Sequence, residues 1–128
     1  MSTATVASIG STINWFEIPS SDFDRAVKFY ETIFAKDLGK GDFMGTPTAV
    51  FAYERPNISG CVLKEEGHTP SNRGTLVFLN ANGIFDDVLA RVTKAGGKVE
   101  KVMDLPEGLG RAAHIIDSEG NRVGLHTY

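Results

Sequence analysis

The chain has 128 residues, 41% of them hydrophobic, which supplies enough apolar side chains for one core but few for two independent domains. Its formal net charge of −3 and the lack of a Lys/Arg cluster argue against nucleic acid or an anionic membrane surface as a partner. No apolar run approaches the roughly 18 residues of a membrane span. Cys61 is the sole cysteine, which is typical of a reducing compartment, and we expect a cytoplasmic protein.

The first half of the chain predicts a strand, a helix and three more strands. Residues 1–11 lack the basic start and apolar core of a signal peptide, and we expect a flexible tail there. Ser20, Ser21 and Asp22 offer an N-cap, and after them apolar residues recur at spacings of three and four, at Phe23, Ala26, Val27, Tyr30, Ile33 and Phe34. Segments rich in strand formers follow at 38–44, 47–54 and 59–65. Residues 12–65 therefore predict a βαβββ module.

The second half repeats this order after a linker, 66–74, of mostly turn-forming residues. A shift of 62 residues lays the strand around Trp15 over the strand around Val77. Asn82 is expected to cap a second helix, whose apolar positions are Phe85, Val88, Leu89, Val92 and Ala95. Strands are predicted at 98–103, 110–117 and 121–127. Residues 75–128 therefore predict a second βαβββ module, and the fold class is α+β.

Four stretches of the sequence together resemble the vicinal oxygen chelate superfamily, also called the glyoxalase/bleomycin resistance/dioxygenase superfamily. They are the strand Trp15–Pro19, the helix start Asp22–Tyr30, the helix ending Ala95–Val99 and the turn and strand Asp117–His126. The resemblance extends from about Thr12 to Tyr128. It implies two tandem βαβββ modules whose strands form a curled mixed sheet around an open cavity, often in a homodimer.

In that superfamily a divalent metal is held by four side chains, on the cavity face of the first and last strand of each module. Carried onto this sequence, the resemblance gives Trp15 and Gly124, and the 62-residue shift adds Val77 and Val62. None of these four side chains supplies the oxygen, nitrogen or sulfur atom that such a metal requires. We therefore expect Trp15, Val62, Val77 and Gly124 to line a ligand-binding cavity with no cofactor, although a divalent metal held by other residues stays open.

Strand alternation identifies two polar side chains beside these positions. Glu17 shares a face with Trp15, and His126 shares a face with Gly124. A carboxylate and an imidazole on facing strands can act as general base and acid, or can anchor a polar ligand. The simpler interpretation is that Glu17 is a solvated strand residue and that His126 is exposed near the C-terminus.

Three functions remain open at this point. The first is a metal-free protein that binds a small organic molecule in its cavity, and the loss of the metal positions favours it. The second is a lyase, isomerase or dioxygenase-type enzyme that uses Glu17 and His126 or a non-standard metal site. The third is a dimeric interaction or regulatory module whose cavity is collapsed. One fold can host all three, so the fold does not decide between them.

Overall fold

The computed structural model describes residues 11–128, so most of the predicted tail lies outside the described residues. The first module contains β1 (Trp15–Pro19), α1 (Phe23–Phe34), β2 (Gly39–Phe43), β3 (Thr46–Val50) and β4 (Ser59–Leu63). The second contains β5 (Phe78–Asn80), α2 (Phe85–Val92), β6 (Lys98–Asp104), β7 (Arg111–Ile116) and β8 (Arg122–Thr127). The α+β class and the two tandem βαβββ modules are confirmed. No helix within 11–128 has the length and apolarity to cross a membrane.

Each module forms its own four-stranded mixed sheet. The strand orders are β1-β4-β3-β2 in the first sheet and β5-β8-β7-β6 in the second. The first and last strands of each module are parallel neighbours, with Glu17 opposite Cys61 in one sheet and Phe78 opposite Gly124 in the other. This pairing brings together residues that lie far apart in the sequence.

The two helices begin in different ways. Asp22 caps α1 as predicted, because its Oδ1 accepts a hydrogen bond from the Arg25 amide at 3.1 Å. The predicted cap of α2 is wrong: Ile84 occupies the N-cap position, and it makes no side-chain hydrogen bond there. Asn82 instead accepts a hydrogen bond from the Tyr128 amide at 2.8 Å, so it fixes the C-terminal end of the chain.

Both modules contribute to a single hydrophobic core. The core contains Ile18, Ala49 and Val62 from the first sheet, Ala113, Ile115, Val123 and Leu125 from the second, and the apolar faces of both helices. The helices contact each other, and the Arg91 side chain of α2 donates to the Ile33 carbonyl of α1 at 3.2 Å. One face of each sheet therefore packs under the helices. The opposite face, called here the outer face, is left uncovered by the helices.

The turn between β7 and β8 joins the second module to the first. The Tyr30 hydroxyl on α1 donates to Asp117 at 2.6 Å, and both side chains are buried. Burial and the neighbouring Asp117 carboxylate raise the pKa of Tyr30 well above its usual value, so the phenol stays a donor. Asn121 adds a hydrogen bond from its amide to the Pro19 carbonyl at 2.8 Å. These buried bonds fix how the two modules meet.

Candidate functional site

The outer face of the first module carries Trp15 and Glu17 side by side on β1. Trp15 is 42% exposed, whereas its neighbours Phe16 and Ile18 pack on the core side, as strand alternation predicts. The Trp15 ring meets the Tyr53 ring edge-on, with 6.1 Å between the ring centroids. A flat aromatic surface with an adjacent carboxylate is therefore open to solvent within the chain.

Cys61 lies on the same outer face, because it pairs with Glu17 while its neighbour Val62 enters the core. Its side chain is only 2% exposed. Burial raises the pKa of the Cys61 thiol, and the Glu17 carboxylate raises it further. The sulfur therefore stays a protonated thiol, which is a weak metal ligand and a weak nucleophile.

His68 in the linker reaches the first module's outer face. Its Nε2 lies 3.6 Å from Oε1 of Glu17, and its backbone bridges to Glu65. The contact shows that the linker passes beside Glu17.

The two modules are related by two slightly different offsets. The Ser20 amide donates to the Leu63 carbonyl, and the Ala81 amide donates to the His126 carbonyl, both at 2.8 Å. Because the two bonds occupy equivalent places in the two modules, the first strands are offset by 61 residues in sequence and the last strands by 63. Between the first strand and the helix, the second module has one residue more, Gly83, with φ of +76°. A single shift therefore cannot align both strands.

Two of the predicted cavity residues are corrected by these offsets. Leu76, not Val77, is the equivalent of Trp15, and Cys61, not Val62, is the equivalent of Gly124. Val62 is fully buried in the core, and Val77 packs against it. The expectation that Val62 and Val77 line the cavity is wrong, because a slip of one residue sends a side chain to the other face of the strand.

With these two replacements, the four positions that the superfamily resemblance implies are Trp15, Cys61, Leu76 and Gly124. They do not fit a divalent metal, since only the thiol of Cys61 is a donor and a single donor cannot hold such an ion. At Gly124 a Cβ would lie 2.3 Å from the Phe78 ring, so this ring occupies the space of a ligand side chain. The described residues contain no group of three or more His, Cys, Asp or Glu side chains suited to a metal ion.

A cavity of about 520 Å³ lies on the outer face of the second module. Arg73 at the end of the linker and Leu76 just before β5 form one side of it. Strands β6, β7 and β8 supply Glu100, Lys101, His114 and Arg122. The volume is within the range of roughly 300–1,000 Å³ found for small-molecule sites. Leu76 lines this cavity and is also one of the four implied metal positions. The cavity therefore lies at the part of the candidate site that the second module forms.

Glu17 and His126, the predicted acid–base pair, have separate partners. Glu17 contacts His68, whereas the His126 Nε2 is 2.7 Å from the Leu109 carbonyl oxygen. Within 11–128 no hydrogen bond or ion pair joins Glu17 to His126. Sequence reasoning did not identify Leu76, Phe78 or Lys101 as site residues. The extra residue at Gly83 indicates that the first strands are offset by 61 rather than 62 residues, but it does not account for the offset of 63 between the last strands.

Comparison with known proteins gives a clear result for the fold only. No family model matches the chain, and no curated protein matches it in sequence. Among solved structures, a glyoxalase/bleomycin resistance protein from Albidiferax ferrireducens is 15% identical, with 92% of this chain and 99% of that chain covered and a TM-score of 0.68. An antibiotic binding protein from a Streptomyces species is 24% identical, with 91% and 95% covered and a TM-score of 0.64.

A fosfomycin resistance protein from Listeria monocytogenes is also similar. It is 13% identical, with 92% of this chain and 93% of that chain covered and a TM-score of 0.66. The resemblance to the vicinal oxygen chelate superfamily is therefore confirmed at the level of the fold. Because this fold hosts different activities, the function has to be argued from the site.

Proposed function

We propose that this protein binds a small organic molecule against its outer faces without using a metal. The observation that carries the proposal is the set of residues at the four metal positions: an indole, a buried thiol, a leucine and a glycine covered by a phenyl ring. These groups cannot replace the hydration shell of a divalent ion, but they make an apolar surface with flat aromatic faces. The adjoining cavity supplies polar side chains at its edge.

The proposal includes a homodimer that closes the site. In one chain the helices share a core, so the two outer faces belong to different sheets and neither face covers the other. Trp15 remains 42% exposed and Phe78 47% exposed. A second copy related by a twofold axis can place its first module over the second module of this chain, and the reverse, in two equivalent sites. Burial of these aromatic faces is the driving force.

The similar structures are compatible with a binding function, but the choice among the three candidate functions rests on the site. They include an antibiotic binding protein and antibiotic resistance proteins. The enzyme alternative stays a prediction, and its acid–base pair is not assembled within the described chain. A collapsed cavity is not favoured, because Trp15 and Phe78 are both partly exposed and an open cavity lies on the outer face of the second module. The cytoplasmic location also stays a prediction.

Fluorescence of Trp15 offers a direct test, because it is the single tryptophan of the chain and lies in the proposed site. N-phenyl-naphthylamine is a neutral aromatic probe that absorbs where tryptophan emits. We expect its titration to quench Trp15 by energy transfer and to reach saturation, with the same affinity in the presence of EDTA. The measurement is the dissociation constant from Trp15 emission.

Matched variants assign the binding to the outer face. Phe78→Ala removes a ring beside the site, and we expect it to weaken probe binding by roughly threefold to tenfold. Ile84→Ala removes an exposed apolar side chain next to α2, away from the outer faces, and is expected to leave the affinity unchanged. Absence of saturable quenching in the wild type, or equal losses in both variants, would contradict the proposed function.

A further inference from the structure

The cavity on the second module's outer face is cationic, although the whole chain is acidic. Three of its lining side chains, Arg73, Lys101 and Arg122, carry positive charge, and one, Glu100, carries negative charge. The chain has a formal net charge of −3, so the excess of positive charge is local. Such a concentration of one sign at a concave surface attracts a ligand of the opposite sign.

Two hydrogen bonds position Arg122 in the cavity wall. Its Nε donates to Glu100 at 2.8 Å, and its Nη1 donates to the Asn72 carbonyl at 2.6 Å. The Glu100 carboxylate raises the pKa of Arg122, and Arg122 in turn lowers the pKa of Glu100, so both stay charged. The hydrogen bonds of the described chain use Nε and Nη1 and leave Nη2 without a partner. Glu100 therefore serves to position a guanidinium that can still donate.

A β-bulge places Glu100 and Lys101 together on this face. In a regular strand two consecutive side chains point to opposite faces, but the register of β6 shifts between Val99 and Lys101. Lys101 then lies opposite His114 of β7, which also lines the cavity. Within 11–128 neither Lys101 nor Arg73 has an ion-pair partner. Two cations thus face the cavity with their charge uncompensated.

An aromatic surface adjoins these cations. The His114 ring is 5.8 Å from the Phe78 ring, centroid to centroid, and Phe78 covers Gly124. Leu76 continues the apolar surface toward the linker. His114 lines the same cavity as Arg73 and Lys101, so a molecule that lies on these rings adjoins both cations. The site therefore combines a flat apolar floor with a cationic end.

We propose that the ligand of this protein is an organic anion, with an aromatic or otherwise flat apolar body on Phe78 and His114 and an anionic group bound by Arg73 and Lys101. This inference rests on the proposed binding function and specifies its ligand class. Carboxylate, sulfonate and phosphate groups share the chemistry that these cations recognise.

Two probes with one skeleton separate the anionic group from the apolar body. Anilinonaphthalene sulfonate is the N-phenyl-naphthylamine skeleton with a sulfonate added. We expect the sulfonate to bind roughly tenfold more tightly than the neutral probe, as measured by energy transfer from Trp15. Lys101→Gln and Arg73→Gln should each weaken sulfonate binding several-fold, and the double variant by about tenfold, while neutral-probe affinity stays within about twofold.

Lys28→Gln, on the exposed side of α1 and outside the cavity, is the matched control and is expected to change neither affinity. Naphthoate or naphthyl phosphate should displace the bound sulfonate, and the stronger competitor identifies the anionic group. Equal displacement by neutral naphthylmethanol would contradict the proposal. Sulfonate affinity that is unchanged in the double variant, or that falls together with neutral-probe affinity, would overturn it. If the neutral probe does not bind the wild type at all, the proposed function itself fails.

Discussion

At the scale of single residues, two glycines in the last strands of the modules lie under phenylalanine rings but are expected to tolerate a methyl group differently. At Gly60 a Cβ would meet the Phe16 backbone oxygen at 2.4 Å as well as the Phe16 ring. At Gly124 the contacts are with the side chain of Phe78, whose ring is 47% exposed and can rotate away. A backbone atom in a packed sheet has no such freedom.

We therefore predict that Gly60→Ala lowers the free energy of unfolding by about 2–3 kcal/mol, the cost of overpacking a rigid site. Gly124→Ala should cost less than about 1 kcal/mol but should displace the Phe78 ring and weaken binding of the neutral probe. Urea unfolding measures the first effect, and Trp15 energy transfer measures the second. A Gly124→Ala variant as unstable as Gly60→Ala would show that the Phe78 ring is fixed.

At the scale of elements, the β7–β8 turn of the second module caps the first helix of the first module. The Glu119 carboxylate accepts hydrogen bonds from the Ser21 amide at 3.0 Å, the Asp22 amide at 2.8 Å and the Arg25 Nε at 2.7 Å. Burial alone would raise the pKa of Glu119, but the hydrogen bonds, first of all from Arg25, outweigh it and lower the pKa from 4.5 to about 2. A turn thus stabilises a helix start in the other module.

The pH dependence of this contact follows from the direction of the shift. Because the pKa of Glu119 is lower in the folded chain than in the unfolded one, its stabilisation is complete above the unfolded value of 4.5 and is lost as the pH falls toward 2. We predict that Glu119→Gln lowers the free energy of unfolding at pH 7 by about 2 kcal/mol and flattens its decline in acid. Glu66→Gln, at an exposed linker residue, should change neither. If the free energy of unfolding declined with falling pH in the same way in Glu119→Gln and Glu66→Gln, the proposed role of the Glu119 contact would be contradicted.

At the scale of the whole molecule, the exposed aromatic faces predict self-association. We expect a dimer by sedimentation equilibrium, and we expect dimer formation to shield Trp15, which is 42% exposed in the single chain. Acrylamide quenching of Trp15 should therefore decrease as the protein concentration rises through the dissociation constant. A monomer at all concentrations, or a dimer with fully accessible Trp15, would contradict an interface that covers the outer faces.

The sequence by itself determined the elements and their order. Apolar spacing and strand formers identified both βαβββ modules, Asp22 was among the residues recognised as a cap, and Glu17 was placed on the same face as Trp15, because these features depend on local periodicity. It also showed that Trp15 and Gly124 cannot hold a metal, since that depends only on residue type. Asn82 was misassigned as a cap because its partner, the Tyr128 amide, is distant in the sequence.

Only the tertiary structure decided which side chains share the site. The parallel pairing of the first and last strands sets the register within each module. A difference of one residue made Leu76 rather than Val77 the equivalent of Trp15, and Cys61 rather than Val62 the equivalent of Gly124. Pairing between distant strands also placed the Phe78 ring over Gly124 and brought Lys101, His114 and Arg122 around one cavity. Such contacts depend on cross-strand register and on a bulge, which local patterns do not specify.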